Sequence, residues 1–148
     1  MACQRPLLTF GVVVLAGLLT ACGGKPVAVP ASGVNSMQSV QLKAGSGAEI
    51  TAGKIAVVQY TGWLYETSAP DNKGKQFDSS HNSGQPFRFP VGTGQVIKGW
   101  DQGVVGMKIG ESRRLIIPAD LAYGDSGAGG VIPPGAALIF DIDLVAIE

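Results

Sequence analysis

Hydrophobic positions recur along this chain with two different periods. From Ile55 to Leu64 the residues IAVVQYTGWL are rich in β-branched and aromatic types and apolar on both faces, which predicts a central strand. Phe87-Arg88-Phe89 alternates and stops at Pro90, and residues 111–117, ESRRLII, run into Pro118. Between Ala137 and Ile147, Leu138, Phe140, Ile142 and Leu144 share one face. Asp141 and Asp143 fall on the other face, where they are expected to be solvated. Only one segment has a helical spacing. Val96, Ile97, Trp100 and Val104 form a single apolar stripe, and Gly99, Gly103 and Gly106 leave it stable only when packed on a sheet. The pattern predicts an α+β domain, an antiparallel sheet with one short helix.

Upstream of this domain the pattern changes. Leu7–Leu19 is an uninterrupted apolar run preceded by Arg5, the length of a signal-peptide core and too short to span a bilayer as a helix. Leu19-Thr20-Ala21-Cys22 follows and resembles the bacterial lipobox. That resemblance implies cleavage before Cys22 and acylation of its thiol, with two or more acyl chains giving a stable anchor. Residues 23–38, GGKPVAVPASGVNSMQ, have neither period and read as a tether spanning at most ~55 Å. The expected organisation is a lipoprotein signal peptide over 1–21, a lipidated cysteine and tether over 22–39, and one globular domain over 40–148.

Composition adds limits. Lys+Arg and Asp+Glu are equal at 11 each, with no basic run, so nucleic-acid binding has no electrostatic footprint. The 22 glycines are about 15% of the chain against a usual ~7%, in keeping with many tight turns. Both cysteines, Cys3 and Cys22, precede the domain, and there is no CxxC pair or zinc spacing. His81 lies beside Asp78, Ser79 and Ser80, but adjacent residues on one loop seldom assemble a hydrolase triad, and no GxSxG elbow is present.

Six strings, in order, resemble the FKBP-type peptidyl-prolyl cis/trans isomerases over roughly residues 40–148. They are Tyr60-Thr61-Gly62-Trp63-Leu64, Phe77-Asp78-Ser79-Ser80, Pro86-Phe87-Arg88-Phe89 with Gly94-Gln95-Val96-Ile97-Lys98-Gly99-Trp100, Ala122-Tyr123-Gly124, Val131-Ile132-Pro133-Pro134, and Leu138 to Leu144. The resemblance implies a strongly bent sheet of five or six antiparallel strands wrapped around the helix, with an apolar pocket between them. Its walls would be Tyr60, Phe77, Phe87, Val96, Ile97, Ile132 and Phe140, with Val131 also contacting substrate and Trp100 as the floor. Asp78 and Tyr123 would stand at the rim, and the Tyr123 hydroxyl and Ile97 N–H would bond substrate carbonyls. Trp100, Phe140, Asp78 and Tyr123 would be the catalytic set, with no metal or cofactor.

The implied partners are proline-containing or unfolded exported proteins, with rapamycin-type macrolides as inhibitors and a monomeric state. The implied place is the cell envelope, held by the lipid anchor and facing the periplasm or cell exterior. A non-catalytic, chaperone-like module that holds Pro-containing segments is the competing expectation. Two departures from the family stand out. Residues 65–75, YETSAPDNKGK, make a longer connection that could lengthen a hairpin or shade the pocket. The glycine-rich stretch 125–130 is expected to be mobile.

Overall fold

In the computed structural model, which describes residues 33–148, a six-stranded antiparallel sheet surrounds one short helix. The strands are β1 (Gln38–Lys43), β2 (Ile55–Tyr65), β3 (Lys73–Ser79), β4 (Phe87–Pro90), β5 (Ser112–Ile117) and β6 (Leu138–Ile147), and the helix α1 is Lys98–Gly103. The order across the sheet is β1-β5-β6-β2-β3, with β4 added to the other part of β2. β2 and β6 lie at the centre, paired from Ala56↔Ile147 to Leu64↔Leu138. The signal peptide, Cys22 and most of the tether fall outside the described residues. Two residues assigned to the tether, Gln38 and Ser39, belong to β1 and pair with Ile116 and Leu115, and Val34 ahead of them is buried.

β6 follows its alternation closely: Leu138, Phe140, Ile142 and Leu144 are all buried against the helix side. The opposite face differs from the expectation of solvated aspartates. Asp141 receives Lys73 Nζ at 2.6 Å and a two-pronged contact from Arg114, Nε at 2.7 Å and Nη2 at 3.0 Å. Lys73 also lies over the Trp63 ring, 4.0 Å from its centroid. Asp143 is exposed and takes a hydrogen bond from the Ser112 hydroxyl. Register explains the correction, since β5 brings Arg114 opposite Asp141 and the β2–β3 hairpin swings Lys73 over it.

The long 65–75 connection is that hairpin's end. It closes through a 3₁₀ turn at Pro70–Asn72, with Asp71 and Asn72 both left-handed at φ 54° and 57°. Such conformations suit Asp and Asn, whose short polar side chains tolerate them.

The helix is shorter than the apolar stripe that announced it. Val96 and Ile97 precede it, and Ile97 is extended at ψ 149°. The Ile97 carbonyl accepts the N–H groups of Trp100 (2.9 Å) and Asp101 (3.3 Å). Asp101 in turn accepts the N–H groups of Gly92 and Gly94, both at 2.9 Å, and ties the preceding turn to the helix. Two glycines decide how closely α1 lies on β5. A Cβ on Gly99 would fall 2.5 Å from a methyl of Ile117, and one on Gly103 the same distance from Leu115. The helix backbone thus rests directly on buried side chains of the sheet, and Trp100, between these glycines, projects into the space beyond.

Burial acts to raise the Asp141 pKa, but the hydrogen bonds and charges of Arg114 and Lys73 outweigh it and hold the carboxyl below its ordinary value. A carboxyl depressed on folding contributes stability above its unfolded pKa of about 3.9, lost as pH falls through the folded value. Asp141→Asn should therefore lower stability at neutral pH and flatten the loss of stability on acidification from about pH 5 to pH 2. Urea midpoints measured across that range check it; equal acid slopes in both proteins would show that Asp141 gains nothing from its partners.

Candidate active site

Gly62 on β2 is the residue that lets the site's aromatic walls meet. A Cβ there would lie 2.7 Å from the rings of both Phe140 and Phe77. Without it the two rings pack edge to face, centroids 5.5 Å apart. Trp100 enters from the helix and stands edge-on to Phe140 at 5.2 Å and to Tyr60 at 5.0 Å, with Phe87 at 6.0 Å. Phe89 closes the rear at 5.3 Å, and its own stacking on Phe87 fixes that ring. Rings packed edge to face cannot collapse into a flat stack, and the arrangement leaves a cavity of about 460 Å³. Tyr60, Phe77, Asp78, Phe87, Gln95, Val96, Ile97, Trp100, Tyr123 and Phe140 line it.

Eleven side chains of the sequence-based set can be placed against this cavity. Nine of them, forming its walls, rim and floor, are brought together: Tyr60, Phe77, Phe87, Val96, Ile97, Phe140, Trp100, Asp78 and Tyr123. Val131 and Ile132 are not among the lining residues. They border a second cavity of about 500 Å³ with Leu64 and the segment from Ser126 to Pro134. Ile132 is buried in the core there, and Val131 is exposed. The reason is local folding of the glycine-rich segment. Ala128 and Ile132 exchange two backbone hydrogen bonds at 3.0 Å, so the stretch expected to be mobile forms a tight turn of its own. Gln95 is the lining residue that the apolar pattern passed over. Its polarity hid it, although it directly precedes Val96-Ile97.

The polar rim is connected to the sheet. The Tyr60 hydroxyl donates to Asp78 Oδ2 at 2.6 Å, and Asp78 Oδ1 accepts the Ser79 N–H at 2.8 Å. The carboxylate is thereby held at the mouth of the cavity, where it is exposed. Ser80 Oγ accepts the Tyr60 N–H and donates to the Gln59 side chain, and Ser79 Oγ donates to the Tyr60 carbonyl. With both serine hydroxyls so engaged and His81 exposed, no hydrolase triad forms at this loop. Burial first, then the hydrogen bond to Asp78, push the Tyr60 phenol well above its ordinary range. Burial and the Asp78 charge also raise Tyr123. Both hydroxyls are protonated donors at neutral pH. The buried Trp100 Nε1 finds no hydrogen-bond partner among the described residues. The Ile97 N–H makes no backbone hydrogen bond among them either.

An apolar ring with carbonyls on either side fits such a site: aromatic walls for the ring, hydroxyl and amide donors for the carbonyls. The profile of the FKBP-type peptidyl-prolyl cis-trans isomerases matches residues 46–145. The chain belongs to that family. It is 54% identical over 104 residues to the FK506-binding protein of Streptomyces anulatus, covering 70% of this chain and 79% of the relative. To the FK506-binding protein of Neisseria meningitidis serogroup B it is 49% identical over 106 residues, covering 72% and 91%. It spans 45% of the length of FK506-binding protein 2B from Rhizopus delemar. The crystal structure of AtFKBP13 superposes with a TM-score of 0.66 at 40% identity, covering 76% of this chain and 93% of that one. The bent antiparallel sheet around a short helix is thus the FKBP fold, and the enzyme is a peptidyl-prolyl cis-trans isomerase. The insertion at 65–75 contributes no lining residue to the cavity of this FKBP domain.

A phenol whose pKa rises on folding stabilises the protein fully below its unfolded pKa of about 10, and the contribution is lost as pH climbs through the folded value. Tyr60→Phe should remove that term. Denaturation midpoints should fall less steeply above about pH 10 in the variant than in the parent. Parallel alkaline limbs would mean that folding does not raise the Tyr60 phenol.

Proposed function

We propose that this isomerase acts on X–Pro bonds of exported or envelope proteins, twisting the amide inside the aromatic cavity while a lipid on Cys22 holds the enzyme at a membrane. One observation carries the mechanism: a cavity floored by Trp100 and walled by Tyr60, Phe77, Phe87 and Phe140, with hydroxyl donors at its mouth. Rotation about a peptide bond must break amide resonance, a barrier of about 18–20 kcal/mol. The two X–Pro isomers are close in energy, and uncatalysed exchange takes tens to hundreds of seconds. No bond between heavy atoms is made or broken, so the work is conformational.

The half-rotated amide has lost resonance and its carbonyl is less polar than in the planar form. A dry cavity disfavours the planar amide, which water solvates better, and favours the twisted one. The proline ring fills the space over Trp100. The Tyr123 hydroxyl and the Ile97 N–H take the flanking carbonyls, and the Asp78 carboxylate, fixed by Tyr60, faces the twisting one. Lowering the barrier by roughly 4 kcal/mol gives ~10³-fold, a scale within reach of shape, desolvation and one or two hydrogen bonds. FK506- or rapamycin-type macrolides would occupy the same cavity. The relatives' printed names support this, as does the matching residue set. Cys22 and the apolar run ahead of it support the envelope assignment.

In a protease-coupled assay with X–Pro peptides, the purified protein should isomerise well above background and rapamycin should abolish the rate. Tyr123→Phe should lose about tenfold in kcat/KM, the ~1–2 kcal/mol of one hydrogen bond. A folded protein that binds rapamycin yet turns over nothing would instead make the cavity a holding site for Pro-containing segments. Localisation is tested apart from activity. Cys22→Ser expressed in bacteria should leave the membrane fraction or remain unprocessed, and unaltered partitioning would remove the anchor.

A further inference from the structure

At the C-terminal end of α1, a buried ion pair grips the helix. Glu111 is 2% exposed, although it carries a carboxylate, and Arg113 sits beside it on β5. Glu111 Oε1 accepts Arg113 Nε at 2.8 Å and Nη2 at 2.6 Å. Glu111 Oε2 accepts the Lys108 N–H at 3.0 Å. The remaining arm of the guanidinium, Nη1, donates to the carbonyls of Gly103 at 2.9 Å and Val105 at 3.3 Å. These are carbonyls at the C-terminal end of the helix, where partners within the helix run out and a cation is favoured.

We propose that Arg113, oriented by Glu111, is a positioning residue for prolyl isomerisation: it fixes the place of α1 along β5 and with it the Trp100 floor of the cavity. The inference rests on the proposed role of Trp100. The helix is tied at its start by Asp101 to the 92–94 turn, but not to β5. It has six residues, two of them glycine, and no side chain caps its N-terminus. It also meets β5 through apolar contacts, Gly99 on Ile117 and Gly103 on Leu115. Apolar contact is non-directional and tolerates sliding along the strand. A planar guanidinium held by one carboxylate and aimed at two backbone oxygens does not. Tyr60, Phe77 and Phe140 stand on the sheet and Trp100 on the helix, so the width of the cavity follows the offset between the two. Gly103, gripped by Arg113, is three residues from Trp100, and the Val104 N–H returns to the Trp100 carbonyl at 3.0 Å.

The test separates positioning from stability. Replacing a buried ion pair by apolar residues of similar size is often neutral for folding, so Glu111→Leu/Arg113→Met removes the grip and keeps the core filled. Trp63→Phe, on the outer face, leaves Trp100 as the one tryptophan reporter. In that background the double variant should keep a thermal midpoint close to its parent. Its kcat/KM should fall about ten- to a hundredfold, the scale of an ångström-sized misplacement, and its native-state Trp100 emission should shift. Arg113→Lys keeps a cation for Glu111 without the fork and should fall between the two. Parental kcat/KM and unmoved emission in the folded double variant overturn the proposal. If the double variant does not fold, the same two readings on Arg113→Lys decide it. A parent protein without isomerase activity would sink the proposed function instead, and the emission shift would then judge the grip alone.

Discussion

The structure depends on one indole ring being surrounded by other rings without being crushed by them. Trp100 meets Tyr60, Phe140 and Phe87 at interplanar angles of 77–87°, each pair in the edge-to-face geometry that aromatic quadrupoles favour, worth about 0.5–1.5 kcal/mol per pair beyond burial. That geometry leaves a largely apolar-walled interior that is not full. Most cores remove such space, because unfilled volume forfeits dispersion contacts. Here the loss is offset by closeness elsewhere: at Gly62 two phenylalanine rings touch the β2 backbone, and at Gly99 and Gly103 the helix backbone rests on the sheet.

Around this apolar centre the charged groups serve as fasteners. Asp101 ties the 92–94 turn to the helix start, Arg113 holds the helix end, and Asp141 joins β5, β6 and the β2–β3 hairpin on the outer face. Each fastener joins elements that apolar burial alone would leave able to slide. The rim uses the same device, with Tyr60 and the Ser79 N–H fixing Asp78 at the mouth. For the rotation proposed above, such construction would keep the shape of the site fixed while the substrate twists.

Much of this was legible in the sequence, and the exceptions have physical reasons. The alternation of β6 and the apolar run of β2 marked the two central strands to within a residue or two. β1 and β3, QSVQLK and KGKQFDS, gave no such signal, because edge strands have little to bury and are made by pairing. The stripe through Val96 and Ile97 overstated the helix, since an extended residue just before a helix can face the core too. Alternation put Asp141 on the outer face correctly. It could not show that Lys73, 68 residues earlier, would cover it. Trp100 and Phe140 read as core from their spacing alone. That they border an open cavity came from the family resemblance. The same resemblance placed Val131 and Ile132 on its wall, whereas the bridged turn at 128–132 directs them to a neighbouring hollow.

The most direct test is an intermolecular NOE measurement between an X–Pro peptide and the protein carrying Trp63→Phe. Cross-peaks from the proline ring protons to the indole of Trp100 and the rings of Tyr60 and Phe140, together with accelerated cis/trans exchange of the same peptide, are the predicted result. Accelerated exchange with proline contacts confined to other surfaces, and none to Trp100, would contradict it.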